Sequence, residues 1–293
     1  MTRGLIIKAL SGFYDVLVGD TVYTCKGRGV FRNQNITPLV GDRVVISIHD
    51  DQTGTIQQVE ERQNELKRPP IVNVDQVMIV SSIIEPQFNT TLLDRFLTSV
   101  ESKEMEPIIV LSKQDLANEQ LMKTIGYYIT EYEKIGYTVL VVSDKMVDLK
   151  EKVFPYLKDK LTVIAGQSGV GKSSLLNQLD DALTIETAHI SKSLGRGRHT
   201  TRHVELFQLG GGFVADTPGF SALDFDDIEK ENLRFCFPEI ANHQKDCRFR
   251  GCLHLNEPHC AVKQAVTDGS IAQFRYDNYE KFLNEINSRK PRY

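Results

Sequence analysis

The sequence predicts a multi-domain protein: an all-β barrel, then a central α/β layer on a parallel sheet, then a mostly helical, cysteine-rich segment. Three observations predict it. Short strands separated by polar turns fill residues 1–65, and apolar strands alternate with amphipathic stretches through 66–222. Beyond that, in 223–293, charged helical stretches flank a knot that holds three cysteines within 14 residues.

In the first segment GLIIKAL, FYDVLV, TVYTCKG, DRVVISI and GTIQQVE read as five strands with no helical period between them, so a small barrel of the OB or SH3-like kind is expected. ELKRPPIVNV brings two prolines and ends that pattern. Next, QVMIVSSI, PIIVL, TVLVVS and LTVIAG alternate with TLLDRFLTSVES, NEQLMKTIGYYITEYEKIG and GKSSLLNQL. Strand and helix in alternation require crossover connections, hence a parallel sheet buried on both faces. HVELFQL and GFVAD follow as two strands joined by glycines. After DTPGF the alternation stops, and the chain ends in the helical RYDNYEKFLNEINSRKPRY.

Composition narrows the class. Among 293 residues, 41% are hydrophobic and 25% charged, which excludes global disorder, and no run approaches the ~18 apolar residues of a membrane helix. The apolar N-terminal stretch is interrupted by Lys8 and makes a poor signal peptide, so a cytoplasmic protein without a membrane partner is expected. A net charge of −4 argues against a general nucleic-acid binder; any such surface must be local. Five cysteines without an export signal point to metal rather than disulfides.

The clearest motif is GQSGVGKSS: Gly166, Gln167, Ser168, Gly169, Val170, Gly171, Lys172, Ser173 and Ser174, between a strand and a helix. Such a loop turns its N–H groups toward phosphates. Its lysine reaches the β and γ phosphates, and its serine can ligate Mg²⁺. Asp216, ending a strand in VADTPGF, could hold Mg²⁺ through water, with the Gly219 N–H on the γ-phosphate. Between them, SLGRGRHTTRH offers Thr200 and Thr201 to close over Mg²⁺, Thr201 being favoured. Upstream, SKQD supplies Ser112, Lys113, Gln114 and Asp115 after a strand. A carboxylate there accepts the N1 and amino hydrogens of guanine, a pairing adenine cannot offer, while the lysine stem covers the base. VVSDK, with Ser143 and Lys145, suits the other edge of the base. Alone SKQD is a solvated loop; together the motifs form the full guanine-nucleotide hydrolase set in rotated order, with base loops before phosphate loop. Rotation is cheap where domain termini lie close together.

Cys247, Cys252, His254 and Cys260 give three thiolates and an imidazole suited to tetrahedral structural zinc; His259 competes with His254 as the fourth ligand. Cys25 and Cys236 read as small hydrophobes. Lys26, Arg28 and Arg32, and again Lys245, Arg248 and Arg250, form basic clusters that read either as RNA backbone contacts or as solvated faces. Phe220 follows Asp216-x-x-Gly219 where Ras-like enzymes carry a water-orienting glutamine. Either turnover is slow or another group acts, and His199 is the candidate, with a phosphate or RNA contact as its other reading.

PLVGDRV, NVDQVMIV, LLDRFL, GQSGVGKSSLLN, GRGRHTT, DTPGF and CRFRGCLHLNEPHCAVKQAV with RYDNYEKF together resemble the ribosome small subunit-dependent GTPase A family over nearly the whole chain. The resemblance implies an OB-fold barrel at 1–65, a circularly permuted P-loop GTPase at 66–222 and a zinc-binding domain at 223–293. It also implies a GTP hydrolase acting in late maturation of the small (30S) ribosomal subunit, stimulated by that subunit. His199 falls where the family places a histidine in hydrolysis, and zinc falls on Cys247, Cys252, His254 and Cys260. Expected partners are the small subunit and its rRNA, GTP and GDP, and guanosine tetraphosphate at the same site; a monomer is the default. Ser112 departs from the asparagine usual in the base-reading motif, so the brace between base loop and phosphate loop is expected to be lost or carried by water. Two rival readings are a GTP-sensing RNA-binding switch with little turnover and a permuted GTPase of large-subunit assembly.

Overall fold

A computed structural model of the chain describes residues 1–29, 31, 36–49, 51–67, 69–180, 204–216, 225 and 228–289, the side chain of Asp216 excepted. Strands β1 (Thr2–Leu10), β2 (Phe13–Val18), β3 (Thr21–Gly27), β4 (Arg43–Ile48) and β5 (Thr53–Val59) close into a barrel of order β1-β2-β3-β5-β4. β3 and β5 run parallel and the other pairs antiparallel, the pattern of an OB-like barrel. Alternation along each strand sends Ile6, Val16, Val44, Ile46 and Ile56 inward, where all are fully buried. A short hairpin of β6 (Glu65–Lys67) and β7 (Pro70–Val72) follows.

The α/β layer is a six-stranded sheet of order β10-β9-β8-β11-β13-β12. Its strands are β8 (Gln76–Ser82), β9 (Glu106–Ser112), β10 (Thr138–Val141), β11 (Leu161–Ala165), β12 (Leu206–Leu209) and β13 (Gly212–Asp216). β9 and β10 are parallel, as are β11 and β13; β12 returns antiparallel to β13 through Gly210 and Gly211, at φ 60° and 81°. Unbroken apolar runs such as Ile108–Leu111 and Val163–Ala165 are buried on both faces, which explains why they do not alternate. The intervening stretches are helices α1 (Thr90–Glu101), α2 (Glu119–Ile135), α3 (Leu149–Leu157) and α4 (Lys172–Leu179). Asn89 and Asn118 cap α1 and α2, accepting from Leu92 N at 3.0 Å and Leu121 N at 2.9 Å.

The chain divides into two compact units. Met1–Met78, Met146–Ser168 and Lys172–Phe220 form the first. Within it the Asp75 carboxylate accepts the Leu161 N–H at 2.7 Å, and Gln76 Nε2 donates to Thr162 Oγ1 at 2.8 Å and to the Tyr156 carbonyl at 2.6 Å. The second unit comprises Ile79–Lys145, Gly169–Gly171 and Ser221–Tyr293. Its C-terminal part holds α5 (Pro238–His243), α6 (Ala261–Thr267) and α7 (Gln273–Asn287) around Phe225, Phe237, Ile240, Tyr279, Phe282 and Leu283, all fully buried.

A charged network lies in that second unit. Fully buried Arg275, on α7, donates to Asp94 Oδ1 of α1 at 2.6 Å and through Nε to Glu239 Oε1 of α5 at 2.6 Å. Tyr132 Oη donates to Asp94 Oδ1 at 2.7 Å, and Asn278 Nδ2 to Asp94 Oδ2 at 2.6 Å. Burial pushes the Asp94 carboxyl upward while Arg275 pulls it back.

Candidate functional site: a phosphate loop, two base loops and a cysteine knot

Strand β11 runs straight into the phosphate loop, and the loop needs its glycines. Gly166, Gly169 and Gly171 take φ of 141°, 83° and 97°, a region that side chains rarely enter. Lys172 opens α4 and folds back, Nζ donating to the Gly166 carbonyl at 2.8 Å and the Gln167 carbonyl at 2.9 Å. Ser173 and Ser174 occupy the first turn of the same helix. In the parallel register of β11 and β13, Asp216 pairs with Ile164, which puts its backbone beside the strand end that feeds the loop. His199, Thr200, Thr201, Gly219 and Phe220, and Arg32 of the barrel, lie outside the described residues.

The base-reading segment sits at the end of β9. Ser112 is 5% exposed, and its hydroxyl donates to the Val170 carbonyl at 2.5 Å. The brace expected to be lost or carried by water is therefore direct: the shorter serine reaches the phosphate loop because β9 ends against it. Lys113, left-handed at φ 61°, donates from Nζ to the Gly169 carbonyl at 2.8 Å and also to the Glu85 carbonyl. Gln114 and Asp115 form the single turn that follows, and Asp115 Oδ2 meets Lys145 Nζ at 3.4 Å. Gln114 N donates to the Val142 carbonyl at 3.3 Å, so SKQD is tied to the segment carrying Ser143. SKQD and VVSDK are thus neighbours in space. Glu85 was not singled out from the sequence. Its only signal there is the Glu-Pro pair that turns the chain after β8.

The knot gathers four ligand atoms. Those of Cys247, Cys252, His254 and Cys260 all lie within 4.8 Å of one another, and His259 is not among them. Cys247 Sγ is 3.6 Å from His254 Nδ1 and 3.9 Å from Cys260 Sγ, and His254 Nδ1 is 3.4 Å from Cys260 Sγ. Zinc bonds of about 2.0–2.3 Å arranged tetrahedrally predict edges of roughly 3.3–3.8 Å, so the donor set and spacing fit one structural zinc. Burial pushes the Cys252 thiol up and the His254 imidazole down to about 4. A divalent cation at the centre would supply the charge that buried thiolates need. Around the knot, the Glu257 carboxylate accepts from Leu253 N at 2.7 Å and Leu255 N at 2.9 Å, and Tyr276 Oη donates to the His254 carbonyl at 2.6 Å. Of the RNA-contact candidates, Lys26 and Arg28 are exposed on the barrel, with Lys26 Nζ 4.9 Å above the Phe13 ring. Lys245, Arg248 and Arg250 are exposed beside the knot.

Two family models match the chain, one described as RsgA GTPase over residues 59–226 and one as RsgA N-terminal domain over residues 3–56. A protein named small ribosomal subunit biogenesis GTPase RsgA 2, from Oceanobacillus iheyensis, is 57% identical over 293 residues, covering 100% of both chains. Small ribosomal subunit biogenesis GTPase RsgA from Bacillus subtilis is 54% identical over 298 residues, again with 100% of both covered. A crystal structure of YloQ, described as a circularly permuted GTPase, superposes with a TM-score of 0.88 at 51% identity, over 100% of this chain and 97% of that one. YjeQ from Thermotoga maritima superposes with a TM-score of 0.87 at 37% identity, over 99% of each.

Proposed function

The chain belongs to the RsgA GTPase family, a family of GTP hydrolases, and from that premise we propose that it binds the small ribosomal subunit and hydrolyses GTP during that subunit's late maturation, with activity stimulated by the subunit. The observation that supports the nucleotide half is the fastening of Ser112 and Lys113 onto Val170 and Gly169, the contact a guanine-reading loop would make with a phosphate loop. The names of full-length relatives supply the ribosomal half. In this reading the chain comprises a barrel (1–65), a permuted GTPase domain (66–222) and a zinc-binding domain (223–293), and it works as a monomer in the cytoplasm.

Asp115 pairs the guanine edge, Lys113 and Ser143 flank the base, and Gly166–Ser174 cradle the phosphates with Lys172 on the β and γ oxygens. Mg²⁺, held by Ser173, Thr201 and Asp216, would neutralise charge that develops on the γ-phosphate. His199 orients the attacking water, since Phe220 has no group to do so. Lys26, Arg28, Arg32, Lys245, Arg248 and Arg250 contact rRNA phosphates. Guanosine tetraphosphate competes for the same base and phosphate loops.

The test is co-sedimentation with separated subunits in the presence of a non-hydrolysable GTP analogue. The protein is expected to pellet with small subunits and not with large ones. Pelleting with large subunits alone would overturn the assignment in favour of large-subunit assembly.

A further inference from the structure

Two phenylalanine rings lie open to water beside the cysteine knot. Phe235 is 53% exposed and Phe249 45%, while Phe225, Phe237 and Phe282 of the same unit are fully buried. Exposed aromatic rings on neighbouring segments, flanked by positive charge, can form an interaction surface. Each has a guanidinium over it: Arg234 Cζ lies 5.0 Å from the Phe235 centroid, and Arg248 Cζ 5.7 Å from that of Phe249. The segments that carry the two rings are bonded to each other. Arg234 Nη1 donates to the Cys252 carbonyl at 3.1 Å and the Arg250 carbonyl at 3.3 Å, joining the turn that carries Phe235 to the loop that carries Phe249. Cys247 and Cys252 bracket that loop, so a zinc ion held by the cluster would fix both of its ends.

The chemistry selects its ligand. Exposed Lys245, Arg248 and Arg250, against Asp246, favour a polyanion. Flat rings favour a flat apolar face, and the planar guanidinium groups of Arg234 and Arg248 lie against them. A duplex hides its base faces in its own stack, whereas an unpaired nucleotide presents base and phosphate together. We propose that Phe235 and Phe249 form a stacking site for unpaired RNA bases, with Arg248, Arg250 and Lys245 on the flanking phosphates and Arg234 holding the two segments together. This deepens the ribosomal reading and rests on it, because it names which kind of RNA the knot engages.

The chain contains no tryptophan, so Phe235→Trp and Phe249→Trp each introduce a single fluorescent reporter. Zinc-loaded full-length variants would be titrated with an unstructured RNA of about 8 nucleotides, and with a blunt RNA duplex of the same length. The single strand should quench both indoles saturably and the duplex should not. Phe235→Ala and Phe249→Ala should each weaken single-strand binding roughly 10-fold, with zinc content checked to confirm an intact knot. Unquenched indoles at single-strand concentrations that saturate anisotropy would overturn the site. Equal quenching by duplex would also overturn it, as would quenching by RNA-free ribosomal protein in place of RNA. Stimulation of GTP turnover by small subunits, measured on the unaltered protein, separates the two claims: stimulation without quenching removes the stacking site alone, and its absence removes the ribosomal reading.

Discussion

A buried serine hydroxyl must place its proton, and Ser112 places it on the phosphate loop. Ser112→Ala strands the buried Val170 carbonyl, a cost of about 1–3 kcal/mol, so GDP binding measured by calorimetry should weaken roughly 10-fold. Unchanged affinity would mean the hydroxyl braces nothing. Asp115→Asn replaces an acceptor with an amide that can donate to the 2-oxygen of xanthine. The variant should lose about 2 kcal/mol of GTP binding and gain affinity for xanthosine triphosphate, read in a competition assay. At His254 the sign of a pH effect follows from burial, which lowers the folded pKa from 6.5 to about 4. A base whose folded pKa is depressed stabilises the fold above its unfolded pKa, and that contribution is lost as pH falls through the folded value. The zinc-free knot should therefore lose stability between about pH 6.5 and 4, checked by fluorescence or circular dichroism on acid titration after chelation.

Elements succeed or fail by what surrounds them. Helix α7 offers the clearest case: in sequence RYDNYEKF reads as helical and charged, with no partner for any of its charges, whereas Arg275 is buried between Asp94 and Glu239. Arg275→Met would leave two buried carboxylates facing an apolar chain and should cost about 3–5 kcal/mol in urea unfolding, whereas an exposed neighbour such as Lys281→Met should cost little. No local pattern could foretell that network, because its partners lie 36 and 181 residues away along the chain. The barrel strands, the glycine turn before α4 and the cluster of three cysteines and a histidine were legible for the opposite reason. Alternation, glycine conformation and ligand spacing are short-range constraints that leave fixed intervals in the sequence. Ser112 stands between these cases. Its motif was readable and its partner was not, since the bond to Val170 spans 58 residues and depends on where β9 ends.

At the scale of the molecule the chain order changes the consequences of the GTPase site. Base loops precede the phosphate loop, so the chain leaves the nucleotide site after VADTPGF and goes directly into the zinc-bearing segment. That segment is packed in the same unit as the base loops, through Arg275 and Asn278 on Asp94. Under the proposed function, a small subunit bound at that segment would act on turnover through one continuous stretch of chain. The measurement that tests this most directly is the GTPase rate with and without purified small subunits, alongside His199→Ala. The account predicts a large subunit-dependent increase in the unaltered protein that the variant loses. No increase in the unaltered protein would contradict it, and would leave a guanine-nucleotide enzyme whose partner is something other than the small subunit.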